Sequence, residues 1–101
     1  MAETACLQFP ADHPAFADHF PGNPLVPGAL LLDEALAALA CRRGLRYDAL
    51  EVRQAKFMRP VRPDQRVEVS WEDAGTGTLD VRLRVTGVTV AALTVAIGSC
   101  P

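Results

Sequence analysis

The chain has 101 residues, of which 50% are hydrophobic and only 6% aromatic, and its formal net charge at pH 7 is −2. This length predicts one small domain, residues 1–101, with an aliphatic core of the modest size that oligomerisation often completes. The small negative charge argues against a general nucleic-acid binder.

The number and spacing of the cysteines and the length of the apolar runs indicate in which cellular compartment the protein works. Cys6, Cys41 and Cys100 are an odd number of cysteines without the paired spacing of a metal site, which favours free thiols over disulfides. Cys41 is expected to be a small core residue. Neither a basic-then-apolar leader nor an apolar run of membrane-spanning length is found, and we therefore expect a cytoplasmic protein that does not enter a membrane.

The first half of the chain predicts one strand, a long loop and one helix. Residues 4–9 suit a short strand, and residues 10–27 hold five prolines and predict a loop. Residues 29–42 predict a helix that is apolar on nearly all sides, which is typical of a helix buried on most of its surface. Gly44 follows this helix and suits a left-handed C-terminal cap.

The second half of the chain predicts four strands, at residues 50–57, 65–72, 78–86 and 88–97. Alternation is weak in the first of these and clear in the second, where Val67, Val69 and Trp71 share one face. Turns are expected at residues 73–77 and at Thr86-Gly87, and the last strand is apolar enough to lie at the sheet's centre or at an interface. This order predicts an α+β domain with a curved antiparallel sheet wrapped around one helix.

The loop before the helix is constrained and carries His19. Three prolines between residues 21 and 27 each fix a φ angle and remove a backbone donor. A loop of this kind loses little entropy on folding and can hold a side chain in one place. Gly28 is expected to begin the helix, where an unpaired N–H suits a carbonyl oxygen that gains negative charge. Asp33 lies in the second turn.

The residues around this loop resemble a family signature, which consists of His19-Phe20-Pro21-Gly22, Pro24, Pro27-Gly28, Leu30 and Asp33. It is similar to that of the bacterial 3-hydroxyacyl-[acyl-carrier-protein] dehydratases, in which a histidine precedes a catalytic carboxylate by fourteen positions, as His19 precedes Asp33 here. The later segment 56–63 resembles the family's lysine-phenylalanine strand and proline-bounded turn. The short N-terminus looks most like the small thioester dehydratases of aryl-polyene-type clusters.

The resemblance implies the hot-dog fold, in which a curved antiparallel sheet wraps around one central helix and two protomers pair edge to edge. It implies a hydro-lyase that dehydrates a 3-hydroxyacyl thioester on acyl-carrier protein to the trans-2-enoyl thioester, in fatty-acid, polyketide or aryl-polyene synthesis. The implied partners are that carrier protein, with its phosphopantetheine thioester, and a second copy of the chain. No cofactor, metal, nucleic acid or membrane is implied.

The resemblance also assigns roles to residues. His19 would be the base and Asp33 the acid, contributed to one active site by opposite subunits. The N–H of Gly28 would hold the thioester oxygen. The other predicted substrate-binding residues, which would line an apolar slot for the acyl chain, are Phe20, Pro27 and Phe57.

Charge is unevenly distributed along the chain. Residues 1–40 hold five acidic residues and no basic one, whereas residues 41–66 hold eight basic residues and three acidic ones. The basic segment suits an acidic carrier protein or the phosphate of phosphopantetheine. A solvated charged face is the other interpretation.

Two departures from the family pattern leave alternatives open. Ala37 stands where the family usually has a glutamine that helps to hold a water, and Asp18 replaces a common glycine. A hot-dog acyl thioesterase would need a carboxylate, Asp33 or Glu34, to activate water, although such enzymes do not usually carry the histidine loop. A non-catalytic acyl-binding subunit of a heteromeric dehydratase is the third interpretation.

Overall fold

The structure is a computed structural model that describes residues 3–10 and 25–98. Its regular elements in chain order are β1 (Glu3–Gln8), α1 (Gly28–Arg43), a 3-10 helix (Tyr47–Ala49), β2 (Leu50–Phe57), β3 (Arg66–Gly75), β4 (Thr78–Val85) and β5 (Val88–Ile97). The predicted helix and all five predicted strands are confirmed to within a few residues. The 3-10 helix was not predicted, because a single turn leaves no periodic pattern in the sequence.

The five strands form one antiparallel sheet in the order β1-β3-β4-β5-β2. Strand β5 lies between β4 and β2, which confirms the interior position predicted from its apolar composition. Strands β1 and β2 are the two edges. Because β2 follows the helix in sequence and lies opposite β1 in the sheet, the chain crosses the sheet between these elements.

Helix α1 packs on one face of the sheet and closes the core. Alternation along β3 and β4 turns every second side chain toward the helix, as the sequence predicts for Val67, Val69 and Trp71. On the helix, Leu31, Ala35, Leu36, Leu39 and Ala40 are buried. A fully buried leucine contributes about 1.5–3 kcal/mol relative to an exposed one, so this face holds the helix against the sheet.

The opposite face of α1 is exposed in the single chain, so the expectation of a helix buried on most sides is wrong. Asp33, Glu34, Ala37 and Cys41 are all exposed there, and the prediction that Cys41 belongs to the core is wrong as well. The error has a physical reason. Alanines and a cysteine are small enough to be tolerated on either side of a helix, so their apolar character does not specify which face is covered.

An extra residue in β2 explains its weak alternation. The pairing of β2 with β5 shifts between Val52 and Gln54, which leaves Arg53 as a β-bulge. Val52 pairs with Val95 and Phe57 pairs with Ala91, and both partners on β5 are fully buried. The inner face of the sheet therefore includes Val52 and Phe57, although an odd number of positions separates them.

Two hairpin turns connect β3, β4 and β5. The turn expected at residues 73–77 is shorter than predicted, because β3 continues through Gly75 with a shift in pairing and only Thr76-Gly77 forms the turn. The turn at Thr86-Gly87 is confirmed. Both of its residues have positive φ, 47° and 81°, as tight hairpins of this twist require.

Relief of strain at Thr86 is expected to stabilise the fold. A β-branched residue is disfavoured at positive φ, whereas asparagine is tolerated there. Thr86→Asn is therefore expected to raise the free energy of unfolding by about 1 kcal/mol, measured as a rise in Tm of about 4–8 °C by circular dichroism. The matched change Gly87→Ala should lower Tm. A Thr86→Asn variant that melts below the wild type would contradict the strained turn.

Candidate functional site

One turn holds the chain on both sides of the segment that carries the predicted base. The C=O of Phe9 accepts a hydrogen bond of 2.7 Å from the N–H of Asp64, and the N–H of Val26 donates one of 2.7 Å to the C=O of Val61. His19 and Phe20 lie outside the described residues. The chain on either side of residues 11–24 is thus attached to the same turn, residues 61–64.

The N-terminus of α1 offers backbone N–H donors that have no acceptor within the helix. Pro27 is the N-cap, with φ −58° and ψ 139°, and its C=O accepts a hydrogen bond of 3.0 Å from the N–H of Leu31. Gly28 is the first helical residue, as predicted, so its N–H has no acceptor within the helix. Within residues 3–10 and 25–98 no side chain caps this end, and its first turn holds no acidic residue. The end carries partial positive charge.

The ring of Phe57 lies over Gly28. A methyl group built on Gly28 would be 3.5 Å from Cζ of Phe57, which is ordinary van der Waals contact. The two residues border a depression of about 280 Å³, whose other lining residues are Val26, Leu31, Met58, Arg59, Pro60 and Val61. The structure therefore brings together Gly28 and Phe57, two of the predicted substrate-binding residues. Pro27, a third, directly precedes Gly28 in the chain.

Asp33 lies elsewhere and has a partner that the sequence did not reveal. The hydroxyl of Tyr47 donates a hydrogen bond to Oδ1 of Asp33. This hydrogen bond, together with desolvation and the nearby negative charge, raises the pKa of Tyr47 above its ordinary value. The pair was missed because Tyr47 belongs to the short 3-10 helix, and no helical or strand spacing relates positions 33 and 47.

Gly28 and Asp33 border two different depressions. Five residues of an α-helix turn through roughly 140°, so the two positions do not share a helix face. Asp33 and Tyr47 line a depression of about 440 Å³ whose other lining residues are Ala29, Leu30, Leu32 and Leu36. One chain by itself therefore does not present Gly28 and Asp33 to the same atom of a substrate. Glu34 is exposed and lines neither depression.

Two basic side chains close to Phe57 in the chain have no acidic partner among the described residues. Arg46 pairs with Asp48 at 2.8 Å, and longer contacts of 3.8 Å join Arg43 to Asp73 and Arg53 to Glu51. Lys56 and Arg59 form no ion pair with any residue that the structure describes. Both are exposed, and Arg59 lines the Gly28 depression, so this depression is bordered by a positive charge that no described acidic side chain pairs with.

The described part of the chain has neither a cluster of metal ligands nor a membrane-spanning helix. Among residues 3–10 and 25–98, no group of three or more His, Cys, Asp or Glu side chains is arranged to hold a metal ion. Over the same residues, no helix has the length and apolar character needed to cross a bilayer.

Comparison with known sequences identifies similar dehydratases. A family model described as ApeI dehydratase, of the ApeI-like family, matches residues 2–93. The 3-hydroxyacyl-[acyl-carrier-protein] dehydratase FabZ of Myxococcus xanthus is 32% identical over 97 residues, which cover 76% of this chain and 63% of that protein. The chain spans 41% and 63% of the length of the first two curated relatives it matches.

Comparison with solved structures establishes the fold. The dehydratase heterocomplex ApeI:P from Xenorhabdus doucetiae superposes with a TM-score of 0.76 at 19% identity, over 97% of this chain and 88% of that one. A 1,4-dihydroxy-2-naphthoyl-CoA thioesterase from Synechocystis gives 0.62 at 19% identity, over 96% and 81%. The architecture is the hot-dog fold that the sequence resemblance predicts, and at these identities the structural matches show the fold alone.

The Tyr47–Asp33 hydrogen bond can be measured directly, because Tyr47 is the only tyrosine in the chain. The bond favours the neutral phenol, so Asp33→Ala is expected to return the pKa of Tyr47 toward about 10. The measurement is the tyrosinate absorbance as a function of pH. Because the folded pKa is raised, the pair stabilises the fold below about pH 10, and this contribution disappears as the pH rises through the folded pKa.

Glu34→Gln is the matched control for this titration. It removes the neighbouring exposed carboxylate, which does not contact Tyr47, and should leave the titration midpoint where it is in the wild type. Identical midpoints for the wild type and Asp33→Ala would show that the pair does not form in solution.

Proposed function

The chain belongs to the ApeI-like dehydratase family, and we propose that it removes water from a 3-hydroxyacyl thioester on acyl-carrier protein, giving the trans-2-enoyl thioester. The observation that carries this proposal is the helix N-terminus at Gly28, which no described side chain caps, beside the apolar ring of Phe57. A backbone donor without an acceptor in its own helix, next to a depression that Phe57 and Leu31 line, suits a thioester oxygen followed by a hydrocarbon chain. Fatty-acid, polyketide and aryl-polyene synthesis all require this reaction.

The proposed reaction uses three groups. His19 takes the proton from C2, and the electron pair of that bond forms the double bond between C2 and C3. The C3–O bond breaks as Asp33 gives a proton to the departing hydroxyl, which leaves as water. The N–H of Gly28 stabilises the thioester oxygen while it carries negative charge. The role of His19 is inferred from the motif and is supported by the attachment of both flanking segments to one turn.

A second chain is part of this proposal. Because Gly28 and Asp33 border separate depressions of one chain, a complete site takes its donor and its acid from different subunits. Strand β2 is an edge of the sheet, and the N–H and C=O groups of an edge strand can pair with another strand. We propose a homodimer formed at this edge. A heteromeric partner is the alternative, since the Xenorhabdus doucetiae neighbour is a heterocomplex.

Exposed basic side chains are the basis for proposing that acyl-carrier protein delivers the substrate. Lys56 and Arg59 are exposed and lack acidic partners among the described residues. Arg59 lines the depression beside Gly28 and Phe57, and Lys56 directly precedes Phe57 in β2. An acidic carrier protein, or the phosphate of its phosphopantetheine arm, would be attracted to this position. The name of the similar protein from Myxococcus xanthus, 3-hydroxyacyl-[acyl-carrier-protein] dehydratase, specifies a substrate on acyl-carrier protein. This agrees with the proposed carrier.

The proposed activity is tested by mass spectrometry of a carrier-bound 3-hydroxyacyl substrate. The wild type is expected to remove one water from the acyl group. His19→Ala is expected to slow this loss by about 10²–10⁴-fold, since it removes the proposed base. His13→Ala is the matched control, because it removes the other histidine of the chain, and it should retain wild-type activity.

The products distinguish the competing functions. Loss of the whole acyl group would identify a thioesterase. Tight binding of the carrier protein without turnover, on both aliphatic and aryl substrates, would identify a non-catalytic subunit. Repeating the assay with the coenzyme A thioester tests the carrier, because only a carrier protein can use the full charged surface around Lys56 and Arg59.

The role of Gly28 is tested by adding one methyl group. In Gly28→Ala the new methyl makes ordinary contact with Phe57, and alanine is a better helix former than glycine by up to about 1 kcal/mol. The variant is therefore expected to melt at or above the wild-type temperature. Its kcat/KM should fall, because the methyl narrows the approach of the thioester to the helix N-terminus. Unchanged kcat/KM in a well-folded variant would contradict the assignment.

A further inference from the structure

One oxygen of the proposed acid is already occupied. The hydroxyl of Tyr47 donates a hydrogen bond to Oδ1 of Asp33, and among the described residues no other side chain binds this carboxyl group. The positions one turn before and one turn after Asp33 are Ala29 and Ala37, which carry no polar side-chain atom. Helix α1 therefore supplies nothing on this face to orient the carboxyl group, and the adjacent 3-10 helix does.

The surroundings of this pair are apolar. Apart from Asp33 and Tyr47, the depression is lined by alanine and leucine side chains only. An aspartate side chain rotates freely about its terminal bond unless a partner fixes the plane of its two oxygens. Among the described residues Tyr47 is the one whose side chain can do so, since its phenol is a donor and lies in the same depression.

We infer that Tyr47 is a positioning residue for the dehydration: by binding Oδ1 of Asp33 it fixes the carboxyl group and leaves Oδ2 to exchange a proton with the departing hydroxyl. This inference rests on the proposed function. The arrangement suits both states of the acid. A protonated carboxyl carries its proton on Oδ2 while Oδ1 accepts from the phenol, and after the transfer the carboxylate keeps the same hydrogen bond.

A purely structural role for Tyr47 does not fit its environment. The residue is 47% exposed and lies outside the buried core. A tyrosine phenol is protonated, and therefore able to donate, throughout the physiological range, and the hydrogen bond to Asp33 raises the pKa of Tyr47 further. An exposed side-chain hydrogen bond stabilises the fold only weakly, so removing this hydroxyl is expected to lower Tm by no more than a few degrees. Any large loss of activity would then come from the acid and not from unfolding.

The test is Tyr47→Phe, which keeps the ring and removes the donor. The variant is expected to lose about 10- to 100-fold in kcat, since a small misplacement of a reacting group costs this much. KM should stay near the wild-type value, because Tyr47 is inferred to act through Asp33 and not through the bound substrate. Asp48→Asn is the matched control. It changes an exposed neighbour that pairs with Arg46, and it should retain wild-type kinetics.

Rescue separates positioning from other roles. Glutamine at position 37 would lie one turn beyond Asp33, and Gln–Asp pairs at this spacing form hydrogen bonds on a helix surface. The double variant Tyr47→Phe/Ala37→Gln is therefore expected to recover most of the lost kcat. Both variants should melt within a few degrees of the wild type.

The outcomes distinguish this inference from the proposed function. A wild type that does not dehydrate the substrate overturns both. A wild type that dehydrates, with Tyr47→Phe equally active, overturns the positioning role alone. A loss of kcat that comes with a raised KM also overturns it, because Tyr47 would then contact the substrate. A loss that the added glutamine does not restore overturns it as well, because a donor to Asp33 would then not be what the variant lacks.

Discussion

The turn at residues 61–64 binds the chain at two separated points, and the position of the helix N-terminus depends on it. Each of the two backbone hydrogen bonds contributes only about 0.5–1.5 kcal/mol net. The side chains of Val26 and Val61 are also buried, and burial of a valine adds about 1.5–3 kcal/mol. Hydrogen bonding and apolar packing thus act at the same place, and they fix where Gly28 begins α1 relative to Phe57.

The sequence predicted the elements whose signals are local. Alternation in β3 and β4, the left-handed Gly44 and the Thr86-Gly87 turn are each determined by residues close together in the chain. The missed features depend on distant residues. The contact of Tyr47 with Asp33 depends on how the chain returns after α1. The exposure of Cys41 depends on a helix face that one chain leaves uncovered. Of the predicted site, Gly28 and Phe57 meet, whereas Asp33 lies apart.

The separation of the two depressions would give the proposed assembly a chemical purpose. Asp33 is exposed in one chain, where water would compete with the substrate for the proton of the proposed acid. An acid works better in a site from which water is excluded, since electrostatic interactions strengthen there. In the proposed dimer the surface that a second subunit covers would include the face bearing the acid. The same contact would then complete the reacting groups and remove the competing solvent.

The bulge at Arg53 also determines how β2 tolerates changes in length. Its pairing passes directly from Val52–Val95 to Gln54–Thr94, so a natural variant one residue shorter at this point would keep regular pairing. Phe57 would still face Gly28 in such a variant. Loss of a residue after the bulge, between Gln54 and Phe57, would instead turn the side chains at the end of β2 to the opposite face of the sheet. In an alignment with relatives, a single gap in β2 therefore belongs at Arg53.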